Sequence, residues 1–179
     1  MAVCCNPGQT IAENNRLLRQ MKTINLFIDG SVNPQIKVGY GAFLMIKEKK
    51  PCFETLKGRV LVKKFDDTSS TKLEIQTLLW ALNTIQTSGE RIIVFTDSQN
   101  IVGLMARRNR FEQNKYRSRN NQHINHYLLY QSFFDLMDHL ECNFIKVKGH
   151  KRSHQKNEID QCFSLVDKAS RNALRQYLI

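Results

Sequence analysis

Two short apolar segments, far apart in the chain, each end in an aspartate. Residues 23–28 place isoleucine and leucine at alternate positions before Asp29, and residues 91–96 form a second apolar run before Asp97. Such runs are typical of β-strands. If the two strands are neighbours at the centre of a sheet, both carboxylates protrude at adjacent strand ends. The chain is therefore constrained to a sheet that carries paired acidic groups at one end.

The order of the other segments predicts an α/β fold. Apolar runs predict a second strand at 39–46 and a third at 52–62, so that the first three strands form a meander. Apolar residues at helical spacing from Ile75 onward predict a helix that opens near Ser70. The later elements are a strand at 91–95, a short helix at 98–106, a longer helix at 123–140, a strand at 143–147 and a helix at 158–177. This order, βββαβααβα, predicts a five-stranded mixed sheet flanked by helices.

The charge of the chain favours an anionic partner. Its 27 lysines and arginines against 16 acidic residues give a formal net charge of +11, which favours nucleic acid or an anionic membrane surface. No apolar run approaches the roughly 18 to 20 residues that span a bilayer, and the pattern of a secretory signal is lacking. The five scattered cysteines fit a reducing compartment. We expect a cytoplasmic monomer without a membrane partner.

One domain with a short extension is expected. Residues 1–22 lack a strong apolar stripe, and we expect them to form an N-terminal extension that is either a mobile segment or a surface helix. Residues 23–179 are numerous enough to bury a core of their own and are expected to form the functional domain.

A third carboxylate joins the two at the strand ends. Glu74 lies in the first turns of the helix that opens near Ser70, where it would face Asp29 and Asp97. Converging carboxylates are costly to ionise unless a cation compensates, and hard oxygen ligands select Mg²⁺ or Mn²⁺. Taken singly, each aspartate has an alternative as a turn or helix-capping residue. Together, on this order of elements, the three predict a site for divalent ions.

Five ordered motifs make this sequence similar to type 1 ribonuclease H. They are Asp29-Gly30-Ser31 after a strand, the segment 70–74 that ends in Glu74, the segment 95–99 around Asp97, Lys148-Gly149-His150, and the segment 166–171 around Asp167. The resemblance covers about residues 23–175 and implies that the domain at 23–179 has an RNase H-like fold.

The resemblance also implies an activity. A chain of this kind is expected to be an endoribonuclease that hydrolyses the RNA strand of RNA/DNA hybrids with two divalent ions, Mg²⁺ or Mn²⁺ as its substitute. In that scheme Asp29 bridges both ions, Glu74 and Asp97 hold one, and Asp167 holds the other. Such a pair of ions activates a water and stabilises the leaving oxygen, so no nucleophilic side chain is required. His150, in a loop after a strand, is expected to shuttle a proton or assist product release.

The fourth carboxylate has two candidates. The family commonly places its last acidic residue about ten positions after the loop histidine, which here is Asp160, whereas Asp167 is seventeen positions after His150. We expect Asp167 to fill the role because the whole segment 166–171 matches the motif. The presence of Asp160 in the first turn of a helix is explained by structure alone, since the helix dipole stabilises a negative charge there.

Several polar and basic residues are candidates for contacts with the substrate. The family commonly has asparagines just before the helix glutamate, and here Ser70 and Thr71 stand in their place, so that RNA would be recognised through hydroxyl groups. A basic stretch between Gly103 and His123 resembles a nucleic-acid-binding surface. The remaining candidates are Ser31, Asn33, Gln99, Arg107, Arg108 and Arg110.

Two other functions fit the sequence less well. Related metal-carboxylate folds serve exonucleases and strand-transfer enzymes, so another metal-dependent nuclease of the same superfamily is one alternative. The other alternative is a non-catalytic module that binds hybrids or RNA, and loss of an acidic residue would be its mark. All four acidic positions can be filled here, which favours an enzyme.

Overall fold

A single mixed sheet organises the molecule. The computed structural model describes residues 23–47, 52–87, 89–148 and 156–179. The strands are β1 (Thr23–Asn33), β2 (Val38–Ile46), β3 (Leu61–Phe65), β4 (Arg91–Thr96) and β5 (Cys142–Lys146). They lie in the order β3-β2-β1-β4-β5. β2 is antiparallel to both of its neighbours, β1 and β3, whereas β4 is parallel to both of its neighbours, β1 and β5. The predicted five-stranded mixed sheet is confirmed.

Helices cover both faces of the sheet. They are α1 (Phe53–Leu56), α2 (Ser70–Thr84), α3 (Gln99–Val102), α4 (Arg108–Gln113), α5 (Tyr127–Met137) and α6 (Glu158–Tyr177), with 3₁₀ turns at Lys57–Arg59 and Met105–Arg107. The Ser69 hydroxyl accepts a hydrogen bond from the Lys72 backbone N–H at 3.4 Å and so caps α2. Over the described ranges, no helix is both long and apolar enough to cross a membrane.

The central strand β1 is buried on both faces. Ile24, Leu26 and Ile28 are at most 1% exposed and belong to the core that α2 and α5 cover. Phe27 points to the opposite face, where it stacks on Phe95 at a centroid distance of 4.7 Å in the core that α6 covers. A strand with two buried faces is apolar at consecutive positions, which explains the three apolar residues Leu26, Phe27 and Ile28 directly before Asp29.

The prediction of a third strand at 52–62 is wrong. Most of that segment forms α1 and a 3₁₀ turn, and β3 begins only at Leu61. Thr55 donates hydrogen bonds from its backbone N–H and its hydroxyl to the Cys52 carbonyl, at 3.1 and 2.8 Å, which closes a helical turn. Leu56 is completely buried in the second core and fixes this turn against the sheet. The apolar residues of the segment therefore serve helical packing, and β3 is a short edge strand.

Two helix predictions also differ in extent, and one helix was not predicted. The helix predicted at 123–140 is confined to α5, because His126 adopts a left-handed backbone conformation (φ 62°) that delays its start. The helix predicted at 98–106 divides into α3 and a 3₁₀ turn. The basic stretch, for which no helix was predicted, contains α4.

Glycines allow α2 to lie close to β1 and β2. A methyl group on Gly30 or Gly39 would lie 2.9 or 2.7 Å from the Leu73 side chain, and one on Gly41 would collide with Thr77. Since Leu73 and Thr77 are one helical turn apart, this close approach fixes the beginning of α2 against the sheet. The position of Glu74 is fixed with it.

Gly41→Ala should lower the free energy of unfolding by about 1 to 3 kcal/mol, because the new methyl group overpacks the contact with the buried Thr77. Adding Thr77→Ala should recover part of the loss. Gly58→Ala is the matched control, since no atom lies within 4 Å of a methyl group there. Urea denaturation measures all three variants, and equal stabilities of Gly41→Ala and Gly58→Ala would contradict the close packing of α2.

Candidate functional site

The register of β1 and β4 brings two carboxylates together. Phe27 pairs with Phe95 in the parallel ladder, so Asp29 and Asp97, each two residues further on, occupy equivalent positions. Asp29 is still paired within the sheet, opposite Ala42 of β2, whereas Asp97 directly follows β4 and is exposed. Asp29 and Asp97 therefore occupy equivalent positions on adjacent strands. The prediction that the first strand ends at Asp29 is wrong, because β1 continues to Asn33 in its antiparallel pairing with β2.

Glu74 approaches these strand ends from α2. Its Oε2 accepts a hydrogen bond of 2.7 Å from the Ser98 hydroxyl. Ser98 also caps α3 by accepting a hydrogen bond from the Ile101 backbone N–H at 3.2 Å. Burial is the main cause that raises the pKa of Glu74; the charge of Asp97 raises it further, and the hydrogen bond from Ser98 opposes the increase. Glu74 and Asp97 therefore share one electrostatic environment.

The two candidates for the fourth carboxylate have different surroundings. Asp160 is 5% exposed and forms a capping box with Asn157, in which each side chain accepts a hydrogen bond from the other's backbone N–H, at 2.9 and 3.1 Å. Asp167 is half-buried, pairs with Arg171 at 2.6 Å, and raises the pKa of Asp29 by its charge. Asp160 thus stabilises the start of α6, and Asp167 is the α6 carboxylate that interacts with Asp29.

The pKa of Asp29 is raised from 3.8 to about 7. Burial is the largest cause, followed by the charge of Asp97; Asp167 contributes less, and hydrogen bonds from Ser170 and from the Gly30 backbone oppose the increase. A buried carboxylate among like charges either keeps a proton or requires a cation. This combination of burial and charge marks a candidate functional site.

A cavity of about 200 Å³ opens beside these groups, and Asp29, Glu74, Asp97 and Ser70 contribute to its lining. Hard divalent ions such as Mg²⁺ prefer oxygen donors of this kind. Within the described residues, however, no three His, Cys, Asp or Glu side chains are grouped closely enough to hold a metal ion. Glu74 is directed to Ser98, and Asp167 is directed to Arg171. The donor types fit a hard cation, and side-chain rotations are needed to bring them to one ion.

Two serines that the sequence did not single out contact the carboxylates. Ser98 bonds to Glu74, and Ser170, which is completely buried in α6, donates from Oγ to Asp29 Oδ2 at 3.0 Å. Both serines lie inside motif segments, 95–99 and 166–171, and this is the signal that could have identified them. A serine in such a segment is otherwise indistinguishable from an ordinary capping or core residue.

The predicted RNA-contacting hydroxyls lie beside the cavity. Ser70 is the first residue of α2 and lines the cavity together with the carboxylates, and Thr71 is exposed on the same turn. Ser31 is partly buried in β1, two residues after Asp29. His150 and the N-terminal extension lie outside the described residues.

Two predicted substrate-contacting amides are bonded within the protein. Asn33 Oδ1 accepts a hydrogen bond from the Gln35 backbone N–H at 3.0 Å and so stabilises the turn after β1. Gln99 Oε1 accepts a hydrogen bond from Lys146 Nζ at 2.6 Å, which joins α3 to β5. Both amides keep their NH₂ groups as donors.

Two of the predicted nucleic-acid-binding arginines hold the basic segment in place. Arg107 donates to the side-chain oxygen of Asn100 at 2.6 Å and to its backbone carbonyl. Arg108 forms a bidentate pair with Asp138 at 2.6 and 2.8 Å and also bonds to Glu112 at 2.7 Å. These contacts attach α4 to α3 and α5, so both guanidinium groups are already engaged.

Other arginines of the same segment surround a pocket of about 400 Å³. Its lining includes Arg110, Arg117 and Arg119 together with Phe111 and Tyr116. The Arg110 guanidinium lies 5.5 Å from the Phe111 ring centre, and the two aromatic rings are 6.1 Å apart. Arginines beside aromatic rings in a concave surface are suited to phosphates and bases. Arg110, Arg117 and Arg119 are exposed, and their positive charge lies at the edge of this pocket.

The mixed sheet with helices on both faces defines an α/β domain, in which Asp29 and Asp97 occupy equivalent positions on the central strands. The family model for RNase H matches residues 21–172. The chain belongs to the RNase H family, and the resemblance found in the sequence is confirmed.

The fold is shared with a solved viral structure. The foamy viral protease-reverse transcriptase in complex with dsDNA is similar over 86% of this chain and 96% of that chain, with a TM-score of 0.57 and 10% sequence identity. At this identity the likeness shows the fold alone. No match was found among curated proteins.

In metal-free protein, the raised pKa of Asp29 should make stability fall as pH rises. The folded state keeps a proton that the unfolded chain releases, so the stability lost accumulates between pH 3.8 and about 7. Asp29→Asn removes this ionisation and should be more stable than the parent protein by roughly 2 to 4 kcal/mol at pH 8, but similar at pH 4. Urea denaturation with a chelator measures both proteins, and parallel pH profiles would contradict the raised pKa.

Proposed function

We propose that this protein is an endoribonuclease that hydrolyses the RNA strand of RNA/DNA hybrids with two divalent metal ions. The observation that carries the proposal is the gathering of carboxylates from β1, α2 and α6 and from the end of β4. Asp97 and Asp167 raise the pKa of the partly buried Asp29, and Glu74 lines the same cavity. In a member of the RNase H family, an acidic site of this kind is suited to metal-assisted cleavage of a phosphodiester.

Four carboxylates would hold the ions: Asp29, Glu74, Asp97 and Asp167. Mg²⁺ is the proposed metal, with Mn²⁺ as a substitute, because both prefer oxygen ligands. When bound, the ions supply activation of a water and stabilisation of the leaving oxygen. Asp160 is not assigned to them, since its carboxylate caps α6. We assign His150 the transfer of a proton through an imidazole nitrogen.

The hydroxyls at the start of α2 would distinguish RNA from DNA. Ser70 lines the cavity that the carboxylates line, and Thr71 is exposed beside it. A hydroxyl group can donate a hydrogen bond to the 2′-hydroxyl of RNA or accept one from it, and DNA lacks that group. The pocket around Arg110 and Arg119 would bind the phosphates of the substrate without reading its sequence.

A non-catalytic module that binds hybrids or RNA is the second candidate. One observation favours this module: the described carboxylates are not grouped at metal-binding distance. Such a module would retain the basic pocket and bind nucleic acid without cleaving it. Another nuclease of the same superfamily would instead cleave, but with a different choice of substrate.

Purified protein with Mg²⁺ should cleave the RNA strand of a labelled hybrid and leave RNA duplex and DNA duplex intact. Asp29→Asn and Asp167→Asn should each lower the rate by about 100-fold or more, because each removes a charge that would hold an ion. Product analysis on denaturing gels measures all substrates in parallel. Binding without cleavage in either Mg²⁺ or Mn²⁺ would favour the non-catalytic module.

Variants of Asp160 provide the control for Asp167. Asp160→Asn should retain activity, because the amide oxygen can still accept the hydrogen bond from the Asn157 N–H. Asp160→Ala should lower the free energy of unfolding by about 1 kcal/mol through loss of the capping box. Full activity of Asp167→Asn together with an inactive Asp160→Asn would reverse the assignment of the fourth carboxylate.

The double variant Arg110→Gln, Arg119→Gln should bind hybrid more weakly and with a flatter salt dependence. Removing one cationic side chain that binds a phosphate lowers the slope of log K against log salt by about one. Arg108→Gln is the matched control, since it removes a charge that Asp138 and Glu112 already pair. Fluorescence anisotropy across a salt series measures the slopes, and an unchanged slope in the double variant would exclude the pocket from binding.

A further inference from the structure

Ser170 occupies a core position of α6 with a polar side chain. Val166 and Leu174, one turn before and after it, are buried apolar residues on the same face of the helix. Ser170 itself is 0% exposed. An apolar residue is the usual choice at such a position, because a buried hydroxyl is unfavourable unless it forms a hydrogen bond. The serine is therefore explained by its bonding partners and not by packing.

Both partners of the Ser170 hydroxyl belong to the acidic site. Its Oγ lies 3.0 Å from Asp29 Oδ2 and 3.1 Å from the Asp167 backbone carbonyl oxygen. The Asp167 carbonyl lies within a helix, where the backbone N–H four residues later is its usual partner. The Asp29 carboxylate is the stronger acceptor of the two, since hydrogen bonds to charged groups are the stronger ones. The bond to Asp29 is accordingly the one that the buried hydroxyl provides.

We propose that Ser170 is a positioning residue, which fixes the Asp29 carboxylate in the orientation that binds the divalent ions; this inference rests on the proposed function. A carboxylate has about four acceptor sites, so one bond from Ser170 restricts rotation and leaves sites for metal. The same bond ties α6, which carries Asp167, to β1, which carries Asp29. Ser170 thereby acts on metal affinity through the geometry of two ligands.

The test compares Ser170→Ala with Ser170→Cys, a variant of similar size with a weaker donor. Ser164→Ala is the matched control, because its hydroxyl also bonds within α6, to the Asp160 carbonyl at 2.7 Å. We expect about 10-fold weaker Mg²⁺ affinity for Ser170→Ala in calorimetry, an intermediate value for Ser170→Cys, and no change for Ser164→Ala. At limiting Mg²⁺, kcat should fall in the same order while KM for the hybrid stays within about twofold.

Separate outcomes overturn the inference and the proposed function. Urea denaturation of the metal-free variants verifies folding, which alanine favours in a helix. A parent protein that binds Mg²⁺ and cleaves hybrid, with Mg²⁺ affinity unchanged in Ser170→Ala, would overturn the positioning role alone. Equal losses of Mg²⁺ affinity in Ser170→Ala and Ser164→Ala would also overturn the positioning role, because such losses would reflect a change in protein stability only. A parent protein that neither binds Mg²⁺ nor cleaves would overturn the proposed function and this inference together.

Discussion

The parallel pairing of β1 with β4 is the constraint on which the rest of the structure depends. Because Phe27 pairs with Phe95, the next odd-numbered side chains, Asp29 and Asp97, occupy equivalent places. Alternation along β1 directs Asp29 to the same face as Phe27, the face that α6 covers. This face contributes Ser170 and Asp167, and α2 on the opposite face brings Glu74 over the strand ends. The acidic site is thus a consequence of strand register and of helices on both faces.

The site gathers negative charge at the centre of a chain whose net charge is +11. Other carboxylates are paired with a cation, as Glu141 is with Arg91 at 2.6 Å. Asp29 instead has two carboxylates as neighbours, and the single hydroxyl of Ser170 offsets only part of their effect on its pKa. Local stability is lower for that reason when no cation is bound. The rest of the fold is arranged for stability, and a cluster of like charges that lowers stability is expected where a protein binds a charged ligand.

The sequence predicted the elements whose signals are local. The apolar run of β4 and the periodicity of α6, Glu158–Tyr177, correspond to the structure closely, whereas β1 continues to Asn33, beyond the expected end at Asp29. Residues 52–62 were wrongly predicted to be a strand. Leu56 is held in a helical turn by its packing in the second core, and the alternation of apolar residues along the sequence does not reveal such a tertiary contact. Ser170 could not be recognised for a related reason. Its partner Asp29 is 141 positions away in the chain, and only the packing of α6 on β1 joins them.

Identical residue types in one segment acquire different roles from their partners. Asp160 and Asp167 lie on the same helix, but the first is bonded to the backbone of Asn157 while the second stands beside another carboxylate. Arg108 and Arg110 are two positions apart, and Arg108 is paired with two acids whereas Arg110 borders an open pocket. A count of charges treats the members of each pair as equal. Since a bonded group must lose its partner before it binds a ligand, Arg110 is the stronger candidate of the two arginines. Asp167 is itself paired with Arg171, and it is distinguished from Asp160 by its proximity to Asp29.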